Sequence, residues 1–324
     1  MDRKKQKLSD TIASTCSSVV FFNQWQSYFA KHPTFHLLLA LFWYIFSHVY
    51  IQDWYIIMLK NITSLGAREN EFLMTFAGAD RNIFSLQEAT KFWGSPHNTR
   101  IAVHRLVEKG RLAPIEKGKY LIIPLEAGPR RKWTEDAFII ASALVQPAVM
   151  AYWSAVRHWN WTEQIPRIVY VQTTKRKYSP RRKIFGVQYE IVSVSKRKLF
   201  GTVKDWRNGK PFYVTDREKT LIDCADDVDR AGSIEELTKA VTEGTKEISW
   251  KKINDYVERF PNGAVKKRLG YLFETLIPSL PDEGKVILSK WQKHLSAGVS
   301  PLVPSLAQSG KIVSRWRILV NAGL

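Results

Sequence analysis

An α+β fold in two parts is what this 324-residue sequence predicts, and three observations carry the prediction. Two short helical patterns and a longer one, separated by tight turns, lie between residues 67 and 110 and lead into a small hairpin. Strand and helix patterns then follow without the regular alternation of a parallel βα sheet. The charge is the third observation: 49 Lys+Arg against 30 Asp+Glu gives a net of +19, and residues 1–57 hold five of the former and three of the latter. The surplus therefore belongs to the two parts that follow. A surplus of that size calls for a polyanionic partner, nucleic acid or an anionic membrane surface.

The chain is long enough for two cored domains. With 45% hydrophobic and 24% charged residues it has the composition of a globular protein. Cys16 and Cys224 stand far apart with no histidine at ligand spacing, which excludes a disulfide scaffold and a cysteine-based zinc site and fits a reducing, cytoplasmic setting. No metal or cofactor is expected.

The organisation expected is an atypical extension over 1–66, a first domain over 67–126, a linker over 127–134 and a second domain over 135–324. Within the extension, the apolar run 35–46 has the beginnings of a membrane span. Ser47, His48, Gln52 and Asp53 interrupt its continuation, and a carboxylate inside a span costs about 3 kcal/mol. Three readings stay open, in this order: translation beginning at Met58, a membrane anchor, and a folded extension. A membrane partner is not expected.

The first domain opens with a helix over 69–76, where Phe72, Leu73 and Phe76 fall at helical spacing. Asp80, Arg81 and Asn82 make a turn. Ser85 and Glu88 form a capping box for a helix over 86–93, which Gly94 stops. Ser95 and Pro96 open a third helix that runs through Val107 and ends on Gly110. Residues 112–116 and 119–123, joined at Lys117-Gly118, make the hairpin of a winged helix-turn-helix. In the third helix Thr99, Ala102, Val103 and Leu106 face inward. His97, Asn98, Arg100, Ile101, His104 and Arg105 face outward, as a helix entering the major groove would present them. Arg111, Lys117 and Lys119 are expected phosphate contacts, which position a duplex without reading it. A winged helix used only for protein contacts would not need a basic outer face.

In the second domain, helices are expected over 136–145, 148–159, 234–241, 250–260 and 265–276, and strands over 167–171, 186–192, 212–214 and 314–320. A second capping box, Thr215 with Glu218, is expected to start a helix through Cys224. Around one expected hairpin lie Lys175, Arg176 and Lys177, then Arg181, Arg182 and Lys183, then Lys196, Arg197 and Lys198. Facing one way they would extend a DNA footprint; a protein surface or bound RNA is a competing use.

Several stretches in register resemble the AbiEi-type antitoxins of type IV, abortive-infection toxin–antitoxin systems. They are Tyr152-Trp153-Ser154-Ala155, 161–166, 171–176, 216–224, Lys267-Arg268-Leu269-Gly270-Tyr271-Leu272, Ser314-Arg315-Trp316 and Val320-Asn321. The resemblance runs from about residue 67 to the end, and residues 1–57 have no counterpart in it. Arg217 stands where the family usually has proline. The resemblance implies an antitoxin-like second domain, repression of the protein's own promoter on double-stranded DNA, and counteraction of a nucleotidyltransferase-like toxin without a required stable complex. A solitary transcriptional regulator is the alternative. A metal-dependent nuclease built on Asp216, Glu218, Lys219 and Asp223 is a minor one, because charge at a helix start and an internal hydrogen bond explain these residues more simply.

Overall fold

The computed structural model describes residues 64–124, 127, 133–176 and 180–324. The apolar run 35–46, the alternative start at Met58, most of the expected linker and Lys177 lie outside the described residues. Arg68–Leu324 forms one compact unit. Among the described residues the fold is mixed α and β, with ten helices and three sheets.

The first elements are α1 (Ala67–Gly78), β1 (Ile83–Ser85), α2 (Leu86–Trp93), α3 (Pro96–Glu108), β2 (Leu112–Glu116) and β3 (Lys119–Ile122). Phe72 is fully buried at their centre, with ring centroids of Phe76, Phe84, Phe92 and Trp93 at 4.8, 5.2, 5.3 and 5.7 Å. Offset and edge-on aromatic contacts of this kind add to the apolar area they bury. The expected capping box is present at Ser85: its Oγ accepts from the Glu88 N–H, and Glu88 accepts from the Ser85 N–H at 2.7 Å. Gly94 then takes φ +78, a left-handed conformation that closes the turn between α2 and α3. Ser95 Oγ caps α3 by accepting from the Asn98 N–H, with Pro96 in the first turn. β1, which the turn-rich sequence hides, pairs with β3, giving the antiparallel order β1-β3-β2.

The second region carries α4 (Ala137–Leu144), β4 (Val149–Met150), α5 (Trp153–His158), β5 (Ile168–Thr173), β6 (Arg181–Ile184), β7 (Val187–Ser193), β8 (Thr202–Arg207) and β9 (Lys210–Thr215). Five helices follow: α6 (Arg217–Asp226), α7 (Ile234–Gly244), α8 (Trp250–Arg259), α9 (Gly263–Leu276) and α10 (Asp282–Lys293). The short strands β10 (Ser300–Pro301), β11 (Lys311–Val313) and β12 (Ile318–Val320) close the chain as a small sheet. Six strands form one mixed sheet in the order β6-β7-β5-β4-β9-β8. One of its faces packs on α4 through Val171, Tyr189, Ile191, Phe212 and Val214, in a core that also contains Ile115, Leu121 and Ile123 of the first region. A second core joins α5 to α6–α10 and β12 around Trp161, Trp250, Trp291 and Trp316.

Three expectations are corrected. Residues 148–159 are not one helix: Tyr152 has φ 55, and this left-handed residue separates β4 from α5. The helix after β9 is capped by Asp216, whose carboxylate accepts from the Lys219 N–H at 2.9 Å, and not by a Thr215–Glu218 box. Glu218 instead accepts from the Ser249 N–H at 2.8 Å and pairs with Lys252 at 2.8 Å. The closing strand is shorter than expected, because residues 314–317 form the turn between β11 and β12.

Candidate nucleic-acid interface

α3 is amphipathic in the sense its sequence required. Thr99, Ala102, Val103 and Leu106 are buried, while His97, Asn98, Arg100, Ile101, His104 and Arg105 are exposed. His97, Arg100, Ile101, His104, Arg105 and Glu108 line one shallow, open depression on this outer face. His104 Nδ1 lies 3.6 Å from Glu108 one turn on, and among the described residues no carboxylate pairs with Arg100 or Arg105. Arg can present two parallel donors to guanine or to a phosphate, and Asn can pair with adenine. Ile101, 40% exposed at the middle of the depression, adds an apolar contact of the kind a thymine methyl accepts.

The three cations expected beside the helix separate. Lys117 is exposed in the β2–β3 turn, which Gly118 closes with φ +78. Arg111 is half-buried, and its Nε has no hydrogen-bond partner among the described residues. Lys119 turns inward: its ammonium donates to the carbonyls of Ala143 and Leu144 at 2.6 and 3.1 Å and pairs with Glu116 at 2.8 Å. Those carbonyls end α4, where a cation meets the negative end of the helix dipole. Lys119 thus fastens the β2–β3 hairpin to α4 rather than offering a charge outward.

The basic clusters of the second region do not face one way. Strand alternation puts Arg181 and Lys183 on one side of β6 and Arg182 and Ile184 on the other. Arg182 reaches Glu116 of β2 at 3.3 Å, Arg181 pairs with Glu190 at 2.8 Å, and Lys183 is exposed. Lys175 and Arg176 are exposed after β5. Lys198 pairs with Asp226 and lies 5.2 Å from the Phe260 ring. Lys175, Arg176, Lys183, Lys196 and Arg197 are exposed, and Arg181 is exposed while pairing with Glu190.

The carboxylates considered for a nuclease have other partners. Asp216 caps α6 and accepts from the Tyr256 hydroxyl at 2.9 Å. Burial works to raise the Glu218 carboxyl, but hydrogen bonds from Lys252 and the Ser249 N–H outweigh it and hold it below the usual range. Lys219 and Asp223 form a fully buried ion pair, and burial pushes the Asp223 carboxyl up against the pull of that lysine. Among the described residues no three His, Cys, Asp or Glu side chains come together as metal ligands. No described helix is long and apolar enough to cross a membrane.

A short helix pair, a capped basic helix facing solvent and a hairpin beside it define the region, and residues 71–123 match a family of transcriptional regulators. The particular family is that of the AbiEi antitoxins, and the match supports a regulator's role within a toxin–antitoxin system. It covers the first region only, whereas the stretches that carried the resemblance in the sequence all lie in the second. No curated protein matches the chain. Among solved structures, the RV2827C protein from Mycobacterium tuberculosis is similar in fold, with a TM-score of 0.58 and 14% identity over 79% of this chain and 92% of that one.

Proposed function

We propose that this chain is a DNA-binding antitoxin that represses its own promoter through a winged helix-turn-helix at residues 67–124 and counteracts a nucleotidyltransferase-like toxin through its second region. The observation that carries the DNA half is α3: six outward residues, two of them arginines that no described carboxylate pairs with, on a helix whose other face is fully committed to the core. In this reading α3 enters the major groove, Asn98 and Arg100 read bases near its N-terminal end, and Arg105 and Lys117 hold phosphates. The toxin half rests on the family matched by residues 71–123 and on the motif register of the second region. The occupied carboxylates favour a regulator over a nuclease.

The test separates the two halves in the full chain. Arg100→Ala should lose promoter repression and specific operator binding, yet still rescue growth of cells expressing a nucleotidyltransferase-like toxin. A variant that loses neither, or wild-type protein that binds promoter and random duplex equally at physiological salt, would sink the DNA half. Failure of the wild type to rescue growth would leave a solitary regulator.

A further inference from the structure

The outer edge of the six-stranded sheet carries a second surface that the reading above does not use. β8 is the last strand of the sheet, and alternation along it sends Lys204 and Trp206 to one side. The register with β9 places Tyr213 opposite Lys204 and Pro211 opposite Trp206. Trp206 is 55% exposed and Tyr213 49%, so two large rings stand in solvent on one face of the hairpin. The opposite face is fully used: Phe212 and Val214 are buried in the core on α4, Asp205 reaches His158 at 3.1 Å, and Arg207 stacks 4.0 Å from the Phe138 ring. The two rings are therefore not exposed because the hairpin lacks a core.

Their neighbours are cationic. Lys204 lies 4.9 Å from the Trp206 ring, and among the described residues no carboxylate pairs with it. The exposed Arg259 lies 3.5 Å from the ring centroid of Phe200, which precedes β8 in the chain, and 5.1 Å from that of Tyr256. A lysine alone on an edge strand would be explained as a guard against strand pairing. It would not account for a tryptophan and a tyrosine beside it, since a cation–π contact at an exposed site is too weak to offset two bare rings. Aromatic faces on a sheet edge, with a lysine that no described carboxylate pairs with and a chain carrying +19, have the chemistry of a stacking platform for unpaired bases.

We propose that the Lys204–Trp206–Tyr213 face of the β8–β9 hairpin binds single-stranded nucleic acid, its bases stacked on the two rings and its backbone held by Lys204. This site is separate from the duplex-reading helix and does not depend on it. The experiment is fluorescence anisotropy with labelled 12-nucleotide oligodeoxyribonucleotides and oligoribonucleotides, using the full chain. Trp206→Ala and Tyr213→Ala should each weaken binding about 5- to 100-fold, and Trp206→Phe should retain most of it. Lys204→Ala should lower the slope of log affinity against log salt by about 0.7, the share of one phosphate. Arg100→Ala should leave single-strand binding unchanged, which keeps this test apart from the duplex proposal, and the two oligonucleotide arms tell DNA from RNA. All four residues substituted on the hairpin and helix are exposed, so the fold is preserved. Wild-type protein that binds neither oligonucleotide overturns the proposal, as does binding that both alanine variants leave intact, the result expected of a surface that serves a protein partner.

Discussion

Gly270→Ala gives opposite answers according to whether local propensity or packing dominates, so it tests how the second core is built. Gly270 lies inside α9, where alanine is intrinsically better than glycine by about 1 kcal/mol. A Cβ at this position, however, would sit 2.0, 2.5 and 2.5 Å from Cζ3, Cε3 and Cη2 of Trp316. Carbon atoms settle near 3.5–4.0 Å, so the ring would have to retreat by about 1.5 Å. It has little room to do so: Trp316 is fully buried and its Nε1 donates to Glu274 on the same helix. Overpacking of an ordinary core costs about 1–3 kcal/mol, and a displacement of this size belongs at the upper end. Subtracting the propensity gain leaves a net loss of about 2 kcal/mol. Urea unfolding of the full chain should show the midpoint falling with little change in slope. Gly78→Ala, with nothing within 4 Å of the added methyl, should be near neutral or better. Replacing Trp316 by Leu in the same chain should shrink the cost of the methyl, a coupling that a double-mutant cycle reads directly. An unchanged or raised midpoint for Gly270→Ala would refute the claim that α9 and the closing sheet are locked ring to backbone.

Further expectations follow from the same contacts. Arg100→Ala should cost about 1–3 kcal/mol of operator affinity and relax base preference, whereas Lys117→Ala should weaken all duplexes alike and lower the salt slope by about one; competition titrations at several salt concentrations separate the two. Lys219→Met should destabilise the protein by about 3–5 kcal/mol at neutral pH, because it leaves the Asp223 carboxylate buried without its partner. That carboxyl is already pushed up by burial, so the folded variant holds its proton more tightly than the unfolded chain, and the loss should fade as pH falls toward the ordinary value of 3.8. His158 has the opposite sign: burial holds its imidazole below the ordinary 6.5, with Asp205 opposing, so folding stability should decline as pH falls through 6.5. Unfolding midpoints at pH 7.5 and 5.5 for wild type and His158→Phe check this, and a wild-type slope that the variant keeps would contradict it.

Much of the first region was legible because its punctuation is chemical. Ser85 with Glu88, Gly94, and Ser95 with Pro96 each satisfy or redirect backbone groups within four residues, and such signals survive without tertiary context. What failed was non-local. β1 is a strand only because β3 pairs with it, and β8 because β9 does. The break at Tyr152 is set by its surroundings, since nothing in its neighbours announces a left-handed tyrosine. Lys119 illustrates the limit for sites: an ammonium on a wing reads as a phosphate contact until α4 places two carbonyls beneath it. The motifs that carried the family resemblance are legible for a further reason, which is that several are fasteners. Lys267 donates to the carbonyls of Ala297 and Gly298, Arg268 to those of Pro301 and Ala225, and Asn321 to those of Val303 and Ala307. They define the fold of the second region rather than a site within it.

The division of labour proposed for this chain is therefore one of surfaces, not of separable modules. Ile115, Leu121 and Ile123 of the first region sit in the same core as α4 and the six-stranded sheet. Glu116 takes charge from Lys119 on its own hairpin and from Arg182 across the boundary, while Asn82 donates to Glu135 at 3.1 Å. Cutting between the regions would expose those apolar residues, take Arg182 from Glu116 and take Asn82 from Glu135, so loss of a function on truncation would report unfolding as readily as the removal of a site. Charge and ring substitutions on exposed faces avoid that ambiguity. The same connections fix the β2–β3 hairpin beside α3 at two positions from the second region, at the α4 carbonyls through Lys119 and at β6 through Arg182.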